Sequence, residues 1–554
     1  MRLTTKHITI LVIMVIIVLM AGCAKIVAPT GGPNDTTPPK IVKMVPENQT
    51  VRFNERQIRF YFDEYVTLNN PNENVLISPP LTTPPEYTIK DKSLVIKFKD
   101  TLRANTTYNM VFTNCLKDYH EGNPLNLFHY SFSTGDSLDN YMIRGNILSA
   151  KTLEPSADLF VMLYKNLEDS LPLTSIPDYV TKTQKDGSFL FPNITAGNYK
   201  IFALKDNNAD LRYNLPNEEI AFLTESVASF PSLPDTAADS LKASLPMITL
   251  YSFVTEDTTQ KLSRYLNPAF GVYIFPYKHA VKEFFVTPSP GAPDYFQVTN
   301  ATRDTITWYM KTPVTDSVFY YLNADNQIDT VWLVPFKEKQ SSGRGRTQPI
   351  RKMSVSFLNA GEYHKPLTLR FPYPIHPRDS FNVYVFSKQQ EVNDTTVYRF
   401  AVPDTFLMEL PLPMNYLEKK SYSVMIPDSL FFGYHQLTHD TLKTQFSTKS
   451  VKDYGTLIMN YQIPDDGKTY VATLLEGEKV LQKNTLTHSE TITYPYLEPK
   501  TYRVSVFCDE NRNGSWDPGD YATKRQPEKV YIFPNNISIR AYWDSEETFT
   551  IQNP

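Results

Sequence analysis

Oxygen-bearing side chains fall at alternate positions in one stretch, Asp509-x-Asn511-x-Asn513-Gly514, followed by Asp517 and Asp520. Counted from Asp509, the oxygens stand at positions 1, 3, 5, 9 and 12, with glycine at 6. Alternate side chains pointing inward around a sharp glycine turn are what a Ca2+ loop needs. Position 12 is Asp520, shorter than the bidentate Glu such loops ordinarily use, and the flanks read as strand and turn rather than helix. A calcium site here would therefore lie between strands. A weaker copy is Asp206-x-Asn208-x-Asp210, with Leu211 where the glycine should be and Asn214 after it. An ion in either loop would stiffen a domain rather than activate water, because no base or open His site accompanies it. The alternative for both is an Asx-rich turn that hydrogen-bonds its own backbone.

No other spacing in the chain reads as a reaction centre. There is no Gly-x-Ser-x-Gly elbow, His-Glu-x-x-His pair, glycine-rich phosphate loop or Cys-x-x-Cys, so the expectation is a protein that is not an enzyme. His435 and His439 are four apart, but Leu430 to Tyr434 does not read as a helix, so they need not share a face. Asp63 and Glu64 are neighbours along a strand and point to opposite faces. Trp308, Trp332, Trp516 and Trp543 are candidate stacking platforms for sugars, with core packing as the competing reading.

The elements that would carry these residues are strands. Aromatic residues are abundant (35 Tyr, 33 Phe), proline is frequent (42) and glycine scarce (19), a balance that suits pleated surfaces with proline at edges and turns. Ile58, Phe60 and Phe62 alternate with Arg59 and Tyr61; Leu94, Ile96 and Phe98 alternate, and so do Tyr108, Met110 and Phe112. This period of two, with turn clusters between, predicts an all-β chain of tandem antiparallel β-sandwich domains. The length of 554 residues fits several such domains. Charge is nearly balanced, 55 basic against 59 acidic residues, and gives no reason to expect nucleic acid as a partner.

Arg2 and Lys6 precede an apolar run from Ile8 to Met20, and Met20-Ala21-Gly22-Cys23 ends it. A positive start, a short apolar middle and a small-residue exit make a secretory signal; the run is too short to span a bilayer. A Cys after Ala-Gly resembles a bacterial lipobox, although Met20 stands where Leu is commoner. The resemblance implies a signal peptide over 1–22, acyl chains on Cys23 and anchorage to a membrane. Ala24 and Lys25 bring no acidic residue that would retain the protein at the inner membrane, so the expected address is the outer membrane, with either face open. Residues 23–40, rich in Pro, Gly and Thr, read as a lipidated tether. Besides Cys23 there are only Cys115 and Cys508, expected to be buried thiols.

Residues 41–136 resemble the bacterial Ig-like domain of S-layer and envelope proteins. The likeness rests on Thr36-Thr37-Pro38-Pro39, Phe62-Asp63-Glu64, Asn105-Thr106-Thr107-Tyr108, Gly122-Asn123-Pro124-Leu125 and Phe132-Ser133-Thr134-Gly135, and implies a structural, display module. Residues 137–223 resemble the transthyretin-like sandwich of carboxypeptidase regulatory domains, on Asp186-Gly187 before Phe189-Leu190-Phe191 and Gly197-Asn198-Tyr199 opening Ile201 to Leu204. A linker is expected at 224–245, a sandwich of no recognised family at 246–336, and a basic linker at 337–351. The remainder repeats the start: Leu369-Arg370-Phe371 answers Ile58-Arg59-Phe60, Phe446-Ser447-Thr448 answers Phe132-Ser133-Thr134 at an offset of 314, and Tyr502 and Asp509 answer Tyr199 and Asp206 at 303. This predicts a second Ig-like domain at 352–450 and a second transthyretin-like domain at 451–554.

Asp followed by Ser or Thr recurs in expected turns. The tripeptide resembles the O-glycosylation acceptor of exported Bacteroidota proteins, which makes Thr36, Ser240, Thr258 and Thr395 candidate acceptors. Taken together, the sequence resembles a Bacteroidota outer-membrane lipoprotein. The expected role is a non-enzymatic scaffold, spacer or accessory subunit, with an outer-membrane β-barrel protein as a partner in assembly, secretion or uptake. The alternative is a glycan-binding, or glycan-hydrolysing accessory, surface lipoprotein.

Overall fold

The computed structural model describes residues 35–552, except 126, 234–239, 242–243, 258, 337–351, 363, 377–379, 390–391, 401–406 and 434–436. Cys23, Thr258, His435 and the basic segment 337–351 lie outside the described residues. Strands dominate, and they pair into mostly antiparallel sheets of two to nine strands. The chain is a tandem array of β-sandwich domains, grouped in two compact units: residues up to 254 without 150–153, and 150–153 with the residues from 255 on.

The first sandwich has strands Ile41–Val45, Gln57–Phe62, Val75–Ser78, Glu86–Lys90, Ser93–Lys97, Thr107–Phe112 and Phe128–Ser133. The first, second, fifth and fourth form one sheet in that order; the third, sixth and seventh form the other. This is the Greek-key order of a constant-type immunoglobulin domain. Alternation places Ile58, Phe60 and Phe62 inside. The Phe60 ring meets Phe112, Phe128 and Tyr130 edge-on at 5.5, 5.8 and 5.1 Å, a favoured aromatic geometry, and loss of such a ring costs about 3–5 kcal/mol. Thr107–Phe112 is buried on both faces, because the next module covers its outer side: Asn109 Nδ2 donates to Asn193 O at 3.0 Å.

Residues 266–333, the segment of no recognised family, have the same order. Leu266–Ala269, Val272–Pro276, Thr305–Met310 and Tyr295–Thr299 make one sheet; Phe284–Pro288, Val318–Ala324 and Gln327–Leu333 make the other. Its core closes on Trp308, which is fully buried, stacked on Tyr295 at 3.9 Å and bonded through Nε1 to Gln297 Oε1. In the sandwich after 352 the first, second and fifth strands, Ser356–Leu358, Leu367–His376 and Leu407–Leu412, pair together. The fourth, Val392–Phe400, joins Phe381–Gln389, Ser421–Ile426 and Leu442–Ser447 in the other sheet, so one strand has changed sides relative to the first sandwich.

Two further modules share a different pairing scheme. In one, Tyr141–Ser149 pairs antiparallel with Ser188–Ile194 and parallel with Ile248–Val254, while Phe160–Tyr164 lies between Tyr179–Lys182 and Asn198–Lys205. In the other, Gly455–Gln462 pairs with Glu490–Leu497 and, in parallel, with Asp544–Thr550; Thr469–Glu476 lies between Lys479–Leu486 and Thr501–Asp509. The earlier module therefore runs to Val254 rather than ending at 223. The segment expected as a linker at 224–245 contributes Val227–Ala228 and Phe230–Pro231 to it. Parallel pairing needs a long crossover, and a crossover rich in Ser, Pro and Asp carries the same signature as an interdomain linker.

Candidate functional site

The Asp509 loop opens at the end of strand Thr501–Asp509. Asp509 is 2% exposed; its Oδ1 accepts the Asn513 N–H at 3.0 Å and its Oδ2 the Gly514 N–H at 2.8 Å. Asn511 and Asn513 both donate their amides to Asp517 Oδ2. Asp520 turns away: its oxygens accept from Ala522 N and Thr523 Oγ1, within a tight turn closed on Arg525. The loop thus brings Asp509, Asn511, Asn513 and Asp517 together and leaves Asp520 apart. Among the described residues no three His, Cys, Asp or Glu side chains converge as metal ligands.

The carboxylate that organises this loop is Glu528, which sequence spacing did not single out. It is 5% exposed, and accepts the N–H groups of Glu510 and Asp517 at 2.9 Å each. Burial raises its pKa against those two bonds, and Asp517 and Asp509 add to the rise. The Asp206 loop is built alike. Asp206 accepts from Asn208, Ala209 and Leu211 N, and the fully buried Glu218 accepts from Asn207 and Asn214 N. Residues 207 and 214 lie 303 before 510 and 517, the offset that separates Asp206 from Asp509.

Fixed offsets also relate two pairs of tyrosine corners, where a buried ring folds back on the chain just upstream. Tyr108 OH accepts Arg103 N at 2.9 Å, and Thr134 Oγ1 accepts Thr106 N at 3.0 Å. At 314 residues further on, Tyr422 OH accepts Leu417 N at 2.8 Å and Thr448 Oγ1 accepts Lys420 N at 3.1 Å. At the other offset, Tyr199 OH donates to Thr195 O at 2.8 Å and Tyr502 OH to Glu498 O at 2.9 Å.

The remaining candidates separate. His439 is buried, with Nε2 accepting Leu430 and Phe431 N and Nδ1 donating to Asp440 O; burial lowers its pKa. Asp63 accepts Lys40 N and closes the strand end. Cys115 and Cys508 are buried free thiols, and burial pushes the Cys115 thiol up to about 11. Thr36, Ser240 and Thr395 are exposed. Of the tryptophans, Trp308 is core, Trp516 is half-buried with Nε1 on Glu528 O, and Trp332 and Trp543 are exposed.

Residues 35–134 match the model of the bacterial Ig-like domain family. The chain carries a bacterial Ig-like domain. That match covers the first sandwich, Tyr108 corner included. No curated protein matches the chain. Native alpha-2-macroglobulin of Escherichia coli, spanning domains MG0-NIE-MG1, is 8% identical at a TM-score of 0.17, over 50% of this chain and 97% of that one. The Bacillus anthracis TIE protein is 9% identical at 0.14, over 94% and 76%. BcpA, the major pilin subunit of Bacillus cereus, is 9% identical at 0.14, over 74% and 99%. Likeness at these scores carries no argument about the chain beyond the matched domain.

Proposed function

We propose that this protein is a non-enzymatic, lipid-anchored scaffold of the outer membrane, in which an Ig-like and a transthyretin-like module occur as a tandem duplication around a central sandwich. The observation that carries the reading is the repetition of the corner and loop hydrogen bonds at two fixed offsets. Among the described residues, the buried carboxylates Asp509, Glu528 and Glu218 bond to backbone N–H groups of their own loops, as structural groups do. The Ig-like match supports an envelope setting, and the lipobox at Cys23 supports the anchor. Two or three acyl chains, at about 0.8 kcal/mol per buried methylene, hold a protein on a bilayer without a spanning helix. In this reading the modules act as spacer or as accessory subunit to a β-barrel complex.

Fractionation of a Cys23→Ser variant tests the anchor. The variant is expected in the soluble fraction after an alkaline wash, while the native protein stays with membranes. Retention of the variant would overturn the anchored reading. Affinity purification from native membranes in mild detergent tests the role, with co-recovery of a β-barrel protein in stoichiometric amount expected and isolation of the chain alone counting against it.

A further inference from the structure

A cleft of about 450 Å³ lies at the start of the last module, walled by Tyr496, Tyr542 and Trp543, with Thr456 and Asp544 at its rim. Its volume is within the range of small-ligand sites, about 300–1,000 Å³. The three aromatic residues are 41%, 70% and 63% exposed. Their backbone is fixed nonetheless: Tyr542 N donates to Tyr454 O at 2.8 Å, and Thr456 N donates to Trp543 O at 3.0 Å.

Two of these residues adopt a conformation that bulky side chains avoid. Tyr496 and Tyr542 both have φ of 57°, in the left-handed region where glycine and asparagine are at home. Tyr496 also sits in a β-bulge: Gly455 pairs with Leu497 and Leu457 with Tyr494, so Pro495 and Tyr496 together face Thr456. Bulges of this kind re-aim a side chain, and strain of this kind gathers where a ligand is held.

The earlier module is the internal control. It has the same bulge, with Pro192 and Asn193 opposite Met142, and Asn193 takes the left-handed position at φ 52°. Ser232 makes the counterpart backbone bond, to Asn140 O at 2.7 Å. Asn193 and Ser232 thus occupy the places of Tyr496 and Tyr542. The pairing scheme forms without tyrosine at these two positions, so the strand pairing does not require them.

We propose that this cleft binds a pyranose unit of a neutral oligosaccharide. The His364 ring already stacks on Tyr496 at 4.5 Å and Lys452 lies over Tyr542; the Trp543 ring and the opposite faces of the two tyrosines offer stacking to the C–H faces of a sugar. Asp544, Thr456 and Lys452, whose Nζ lies 5.0 Å from the Tyr542 ring centroid, offer acceptors and donors for hydroxyls. A proline-rich or purely apolar partner would cover the same rings and leave the carboxylate and the ammonium without hydrogen-bond partners, which is unfavourable. The inference does not rest on the anchor or the scaffold role; it assigns a ligand site to one module.

The test uses the purified chain on an array of neutral hexose and N-acetylhexosamine tetrasaccharides, followed by titration of tryptophan emission with the strongest binder. A saturable blue shift is expected. Trp543→Ala and Tyr542→Gly should each weaken binding at least ten-fold, and Trp332→Ala should leave it unchanged. Tyr542→Gly removes backbone strain, so its melting temperature should hold or rise while binding falls, which a purely structural tyrosine would not show. Failure to bind any arrayed sugar would overturn the proposal, as would binding that survives the Trp543→Ala/Tyr542→Gly double variant or a cleft that takes only a proline-rich peptide.

Discussion

Asp509 is nearly inaccessible, and both its oxygens are already used by backbone N–H groups of its own loop. Asn513 N has a second acceptor in Asn511 Oδ1, whereas the Asp509 carboxylate is the acceptor for Gly514 N. Asp509→Ala therefore orphans the Gly514 N–H at a part-buried turn, at a cost of about 1–3 kcal/mol. The expected outcome in urea unfolding, followed through Trp516 beside the loop, is that loss in the presence and absence of calcium alike. A loss confined to calcium-containing buffer would make the loop a metal site instead. Residue types along the loop were legible in the sequence, since Asx side chains at alternate positions announce a self-bonded turn or an ion loop. Glu528 was not legible. It arrives from the far side of the loop, eleven residues after Asp517, and only the folded path shows that it caps Glu510 and Asp517.

At the scale of elements, period two was a faithful guide where one face of a strand meets solvent, as at Gln57–Phe62. At Thr107–Phe112 it picked the inward Tyr108, Met110 and Phe112 but gave no sign that a neighbouring module covers the other face. It also failed to place Ile248–Val254, because membership of a sheet by parallel pairing leaves no local mark in sequence. Nor does strand order: residues 266–333 share the Greek-key order of the first sandwich without a motif that betrays it. The misplaced strand has a measurable consequence. Ile248–Val254 bridges Tyr141–Ser149 and Glu219–Phe222, and Leu250 lies fully buried in the module core. A fragment spanning 35–254 is expected to melt cooperatively. A fragment ending at Leu245 removes that strand, exposes two edges and uncovers the core, and should lose the cooperative transition of its second module in calorimetry. Equal melting of the two fragments would mean that the strand is an appendage.

At the scale of the molecule, each unit joins a sandwich to its following module through polar groups, but the two seams differ in kind. In the first unit the bonds across the seam are neutral: Asn193 Nδ2 donates to Ser131 Oγ at 3.0 Å, which in turn donates to Asn109 Oδ1 at 2.6 Å, and Ser78 Oγ accepts Val180 N at 2.9 Å. In the second unit the seam is charged and half-exposed. Lys449 Nζ lies 2.8 Å from Glu362 and 2.9 Å from Glu498, Lys500 reaches the other Glu498 oxygen at 2.6 Å, and the His364 ring stacks on Tyr496 at 4.5 Å. Lys500 and Lys449 draw the Glu498 carboxyl down to about 2. A depressed carboxyl contributes stability that is complete above its ordinary pKa of about 4.3 and is lost as pH falls toward 2. Exposed charge pairs are also screened, over about 3 Å at 1 M salt, whereas neutral hydrogen bonds are not. Calorimetry of fragments 35–254 and 352–552 separates the two cases. High salt, or acid between about pH 4.5 and 2, should split the melt of the second fragment into independent transitions of its two modules. The first fragment should stay coupled in high salt and should split on Asn109→Ala, which removes the acceptor of the Ser131 Oγ–H and the donor to the Asn193 carbonyl. If salt uncoupled both fragments, or neither, the seams would not differ in the physics that holds them.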